Sequence, residues 1–137
     1  MLIAVDFDGT IVDHRYPAIG RELPFSTDTL RRLTADGHRL ILWTVREGQL
    51  LDEALEWCKE RGVTFYAVNR DYPEQEFGEG VARKIKVDVV IDDRNLGGLP
   101  EWGVIYDMIT RRISYRDYLL EAIGRSPERK HRKWWQR

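Results

Sequence analysis

The sequence predicts an α/β domain built on a single doubly wound, mostly parallel sheet without a cap domain. Two patterns carry that prediction. Short apolar runs rich in Val and Ile alternate with segments of helical period, as in chains whose parallel strands are joined by crossover helices. The runs are also apolar almost throughout rather than at every second residue, which suits strands covered on both faces. With 137 residues, 42% of them apolar and 33% charged, the chain has the size and composition of one folded core.

In chain order, the first predicted strand is Leu2 to Val5, and an aspartate follows it at once. A helix is expected from Ser26, read as its N-cap, through Leu30 and Leu33 to a stop at Gly37. Arg39 to Trp43 is the second strand. The next helix covers about Glu47 to Arg61, with Leu51, Ala54, Leu55 and Cys58 on one stripe and Gly62 as its stop. Val63 to Val68 and Val87 to Ile91 are the third and fourth strands. From Trp102, Ile105, Ile109 and Ile113 fit a helical face, and after Ser114 so do Tyr115, Tyr118, Leu119, Ala122 and Ile123. Residues 1–124 are thus read as the core. Residues 125–137, with six Lys or Arg and a Trp134-Trp135 pair, are read as a basic tail. That tail could bind nucleic acid or a subunit of a homo-oligomer.

Charge and cysteine content exclude several functions. The 22 Lys and Arg balance 23 Asp and Glu, so nothing in the net charge calls for DNA, anionic lipid or acidic partners. The lone Cys58 cannot make an internal disulfide and reads as core, and no Cys/His cluster has zinc spacing. No apolar run nears the length of a membrane span or a signal h-region. A cytoplasmic protein with no membrane partner is expected.

The chemistry concentrates where predicted strands end. Asp6-Phe7-Asp8-Gly9-Thr10 follows the first, at the carboxyl edge where open parallel sheets place ligands. Residues two apart in extended chain project to one side ~7 Å from each other, so both carboxylates can face one centre. Gly9 allows a sharp turn that brings backbone N–H groups near an anion. Asp92-Asp93 follows the fourth strand in the same way. Clustered carboxylates without thiolate or imidazole suit Mg²⁺, which commonly bridges carboxylates to a phosphate. Thr44-Val45-Arg46 ends the second strand with a hydroxyl and a guanidinium, and Arg83-Lys84-Ile85-Lys86 precedes the fourth with cations. Together these groups describe phosphoryl transfer through an aspartyl-phosphate.

In order and spacing these residues resemble the signatures of the haloacid dehalogenase superfamily over residues 1 to about 95. Asp6-Phe7-Asp8-Gly9-Thr10 is similar to the first signature, Thr44 to the second, Lys84 to the third and Asp92-Asp93 to the fourth. The stretch from Ile85 to Asn95 further resembles a small subgroup of hypothetical phosphatases. The resemblance implies a Mg²⁺-dependent phosphatase with Asp6 as nucleophile and metal ligand. It implies Asp8 as general acid/base, touching metal through its backbone carbonyl, and Thr44 and Lys84 as holders of the phosphoryl oxygens, with Lys86 the rival lysine. Either Asp92 or Asp93 would be the direct metal ligand. Gly9, Thr10, Val45 and Arg46 complete the expected substrate-binding set. The 15 residues between Thr10 and Ser26 leave room for a flap and no cap, so the resemblance is to the capless type.

The expected substrate is a phosphorylated small molecule or a nucleotide or polynucleotide end. Two other classes compete: a phospho-aspartate acceptor module, which would store phosphate, and a noncatalytic nucleic-acid adaptor acting through the tail. The Asp8-Gly9-Thr10 sequence favours hydrolysis over storage, because a second carboxylate can activate water. His14 in the flap could touch a leaving group but reads first as a solvated histidine, and Arg94 and Asn95 read as turn residues.

Overall fold

A computed structural model of the chain describes residues 1–78, 80 and 82–125; the basic tail from residue 126 lies outside the described residues. The described chain divides into two compact units, Met1–Leu99 and Pro100 onward.

In the first unit the strands are β1 (Leu2–Val5), β2 (Arg39–Leu42), β3 (Ala67–Val68) and β4 (Val89–Ile91), and the helices are α1 (Ser26–Ala35) and α2 (Gly48–Glu60). All pairings are parallel and the strand order is β3-β2-β1-β4. The chain steps outward from β1 through β2 to β3, then returns to the other side of β1. That reversal creates a switch point between β1 and β4, the crevice where such sheets bind ligands. Register aligns Val5 with Leu42 on one side and Ile91 on the other. The next residues along each strand, Asp6, Trp43 and Asp92, therefore leave the sheet on one edge.

The core is built from the strand runs and one stripe of each helix. Ile3, Ala4, Val5, Ile41 and Leu42 are fully buried with Leu30 and Leu33 of α1 and Ala54 and Cys58 of α2. Phe7 is also fully buried and meets Trp57 of α2 edge to face at 5.7 Å. Burial pushes the Cys58 thiol up to about 12. A thiol reagent at pH 8 should therefore react with native Cys58 about 1,000-fold more slowly than with a free thiol on ionisation alone. Labelling that is fast without denaturant would show the stripe to be open.

Residues 11–23 form the flap. Asp13 N–H donates to Arg21 O and Leu23 N–H to Ile11 O, and Ile11 and Val12 are fully buried. The flap is thus anchored by its base. The Tyr16–Pro17 peptide bond is cis.

Several elements differ from the sequence expectation. Ser26 is not the cap of α1: Phe25 occupies that position, while the Ser26 hydroxyl donates to Ile11 O. The Glu22 carboxylate accepts from Thr27 N–H at 3.0 Å and from the Thr27 hydroxyl, supplying the acceptor a cap would have supplied. The third strand is two residues long because Gly62 and Val63 donate back to Lys59 O and Cys58 O to close α2. The fourth begins at Val89, since the Asp88 carboxylate takes Leu2 N–H at 2.8 Å and Asp88 N–H donates to Leu2 O.

The second unit holds α3 (Trp102–Arg111) and α4 (Tyr115–Ala122). Trp102, Ile105 and Ile109 are buried, and the Ser114 hydroxyl caps α4 by accepting from Asp117 N–H. The apolar stripe expected on α4 is not buried: Leu119 and Ile123 are exposed. A helical period records only that one face is apolar, and on that face of α4 Tyr115 and Tyr118 are half-buried while Leu119, Ala122 and Ile123 are exposed. No described helix is long and apolar enough to cross a membrane.

Candidate functional site

The carboxyl edge of the sheet opens into a cavity of about 930 Å³ whose walls include Asp6, Asp8, Thr44, Val45, Asn69 and Asp92. Three carboxylates meet at this edge. One oxygen each of Asp6, Asp92 and Asp93 lie within 4.8 Å of one another, and all three residues are half-buried.

Backbone register produces the cluster. Asp6 N–H donates to Ile91 O at 3.0 Å, which extends the β1–β4 ladder by one step and sets Asp6 beside Asp92. Thr10 then ties Asp93 in. Its hydroxyl oxygen accepts from Asp93 N–H at 3.0 Å and lies 3.2 Å from both Asp6 Oδ2 and Asp93 Oδ1. Asp92 lines the cavity, whereas Asp93 does not and packs against the glycine turn. Arg94 N–H donates to Asp92 Oδ1 at 2.9 Å, so the residue after the pair orients it.

Gly9 has a specific reason to be glycine. Its φ is +84°, and a Cβ there would stand 2.4 Å from Asp93 Oδ2. Its N–H is already donated to Val12 O at 2.7 Å, so Gly9 seats Asp93 rather than offering an amide to an anion. Thr10, fully buried with its N–H donated to Phe7 O, likewise organises carboxylates instead of touching substrate. Gly9→Ala is expected to weaken Mg²⁺ binding at least tenfold, because it both strains the backbone and displaces a carboxylate. Calorimetric titration with Mg²⁺ would measure this, and unchanged affinity would refute the packing argument.

Electrostatics ask for a cation. Burial and the Asp92 charge push the Asp6 carboxyl up to about 7, against smaller lowering effects of the Phe7 N–H and the Thr10 hydroxyl. Crowded all-oxygen donors without sulfur or imidazole suit a hard divalent ion such as Mg²⁺, and three of them converge here; the residues fit the ion. The raised value has a signed consequence. The folded chain keeps a proton on Asp6 at pH values where the unfolded chain has lost it, so without metal stability falls as pH rises from about 4 to about 7. Melting in EDTA should therefore occur at lower temperature at pH 8 than at pH 5, and added Mg²⁺ should remove most of the difference. Equal melting temperatures in EDTA would contradict the burial of Asp6.

Asp8 is differently placed from the three. It is 7% exposed, and its carboxylate is gripped by Arg46: Nε donates to Oδ2 at 2.7 Å and Nη2 to Oδ1 at 2.8 Å. It therefore stands outside the carboxylate cluster although it reaches the same cavity. Arg46 is neither a substrate ligand nor a solvated helix residue. It is fully buried, with Nη1 donating also to Pro17 O and Leu50 O and Nη2 to Ala18 O. All five guanidinium N–H groups are thereby used, and the pair with Asp8 holds the guanidinium's proton more tightly than usual.

Thr44 lines the cavity as expected, its hydroxyl accepting from Arg46 N–H at 3.1 Å. The exposed Val45 lines it too. The lysines do not. Lys84 and Lys86 are exposed in an irregular stretch, and Arg83 lines the cavity instead. No helix carries residues 82–88, so neighbours in sequence point without a fixed period, and Lys84 is not among the residues that line the cavity. Sequence reasoning missed Asn69, which follows β3 with φ +53° and accepts Thr44 N–H on Oδ1 at 2.8 Å. Its signal was an Asn directly after an apolar run, a residue type that tolerates the left-handed region. It also missed Tyr16, Trp43 and Phe77, which line the same cavity.

No family model matches the chain, and no curated protein does. A solved structure of a conserved protein from Bacteroides thetaiotaomicron is 60% identical to it, with a TM-score of 0.81, covering 86% of this chain and 96% of that one.

Proposed function

This chain belongs to the same family as the conserved Bacteroides thetaiotaomicron protein, and for its acidic cavity we propose a Mg²⁺-dependent phosphohydrolase that cleaves phosphate monoesters through an aspartyl-phosphate on Asp6. The observation that carries the proposal is the convergence of Asp6, Asp92 and Asp93 within 4.8 Å at the switch point, with Asp8 on the same cavity. The resemblance of these residues to haloacid dehalogenase signatures supports it.

Asp6, Asp92 and Asp93 would hold Mg²⁺, with Asp93 anchored by Thr10 and Gly9. The bound ion supplies charge neutralisation to the carboxylates and the phosphoryl oxygens. In the first half-reaction an Asp6 carboxylate oxygen attacks phosphorus, the bond to the leaving oxygen breaks, and Asp8 in its acid form delivers a proton to that oxygen. In the second, water attacks the phosphorus of phospho-Asp6. Asp8, now a carboxylate, takes the proton from that water, and phosphate leaves with Asp6 restored. Thr44, whose N–H is fixed by Asn69, offers its hydroxyl to a phosphoryl oxygen. Arg83, which with Arg94 brings positive charge to the cavity wall, takes the role expected of Lys84.

Phosphate release from a panel of monoesters, with Mg²⁺ or EDTA, tests the proposal. Mg²⁺-dependent turnover is the expected result. A stable phospho-Asp6 without turnover would instead identify a phosphate-storing module.

A further inference from the structure

Resting on the phosphohydrolase reading, we infer that the monoester carries a nucleoside, whose base stacks on an aromatic wall formed by Tyr16, Trp43 and Phe77. These three residues come from separate segments, the flap, the end of β2 and the β3–β4 connection, yet line one cavity with the carboxylates. At about 930 Å³ the cavity far exceeds a phosphate group and has the size of sites that enclose whole small molecules.

Tyr16 is the best-supported part of that wall. It is 45% exposed, and the Arg46 guanidinium lies over its ring at 5.3 Å. Arg46 is itself immobilised by Asp8 and by the Pro17, Ala18 and Leu50 carbonyls. One ring face is thus backed by a fixed cation while nearly half of the side chain stays open. Phe77 is 50% exposed on the same cavity. Exposed rings on a cavity wall offer faces on which a base can stack, and stacking tolerates any base because every base has a π-face.

The polar groups do not choose between a base and a bare sugar: Glu47 and His14 line the cavity beside Asn69 and Thr44, so the preference for a base rests on the three rings. The exposed Arg94 adds a second cation, which suits the carbonyl edge of a base or a further phosphate.

The test compares a nucleoside 5′-monophosphate, ribose 5-phosphate and phenyl phosphate with wild-type protein and Mg²⁺, measuring both kcat/KM and binding by calorimetry. The nucleotide should exceed ribose 5-phosphate at least tenfold in affinity and in kcat/KM, and Tyr16→Ala should lower the nucleotide value about tenfold. Equal values for nucleotide and ribose 5-phosphate would overturn the inference while leaving a phosphohydrolase. Phenyl phosphate matching the nucleotide would overturn it too, since any ring would then suffice. Preferential binding of the nucleotide without cleavage would uphold the nucleoside site and defeat the hydrolase reading, so the two failures are distinguishable.

Discussion

Asp6→Asn is expected to lower phosphate release by on the order of 10⁴-fold or more, yet to leave the metal-free fold at least as stable as the parent. The opposite signs come from one cause. Asp6 sits at the end of β1 where burial and Asp92 penalise its charge, raising its carboxyl to about 7. A neutral amide of the same shape relieves that penalty while losing the proposed nucleophile and one of the proposed metal ligands. Folding stability should therefore hold or rise in EDTA at pH 8, and the stabilisation by Mg²⁺ should shrink. Residual turnover above about 1% would mean that water attacks the substrate directly, with Asp6 acting only as a ligand. A large loss of stability would mean instead that the Thr10 hydroxyl, 3.2 Å from Asp6 Oδ2, depends on the carboxylate more than on Asp93.

The parallel sheet was legible because both of its determinants are local. Leu2 to Val5 is apolar at four successive positions and forms β1 over the same residues. The acidic pairs were legible because a strand fixes where the next residue goes: Asp6 and Asp92 each follow a strand end, and register alone sets them side by side. Lys84 illustrates the opposite case. Its chain segment has no regular structure to carry a side chain to a known place, so sequence distance from the fourth strand could not decide which of Arg83, Lys84 and Lys86 would face the cavity. Arg46 failed for a different reason. An arginine at a helix start is solvated unless something buries it, and what buries it is a carboxylate 38 residues earlier together with carbonyls of the flap. That long-range pairing leaves no periodic trace in the sequence.

Arg46 also carries the largest expected effect on stability. Arg46→Met removes a fully buried cation and leaves the Asp8 carboxylate, 7% exposed, without its two donors. Breaking one half of such a pair costs ~3–5 kcal/mol because the remaining charge stays desolvated, which in a chain of this length lowers Tm by about 10–20 °C. The flap should loosen as well, since Pro17 O and Ala18 O lose the donors that bind them to the helix side of the site. Arg46→Lys keeps the charge but not the fork; one ammonium cannot span both Asp8 oxygens and three carbonyls. It should recover part of the stability while kcat remains about 100-fold down, the penalty of misaiming Asp8, the proposed acid/base. The decisive comparison is the double variant Asp8→Asn with Arg46→Met. With no uncompensated charge left in the interior, it should melt above Arg46→Met alone, although it lacks more of the parent's contacts. A double variant that melts lower than either single one would show that the pair acts through packing rather than charge, and that the five hydrogen bonds of the guanidinium matter less than the volume it fills beneath Tyr16 and beside Phe7.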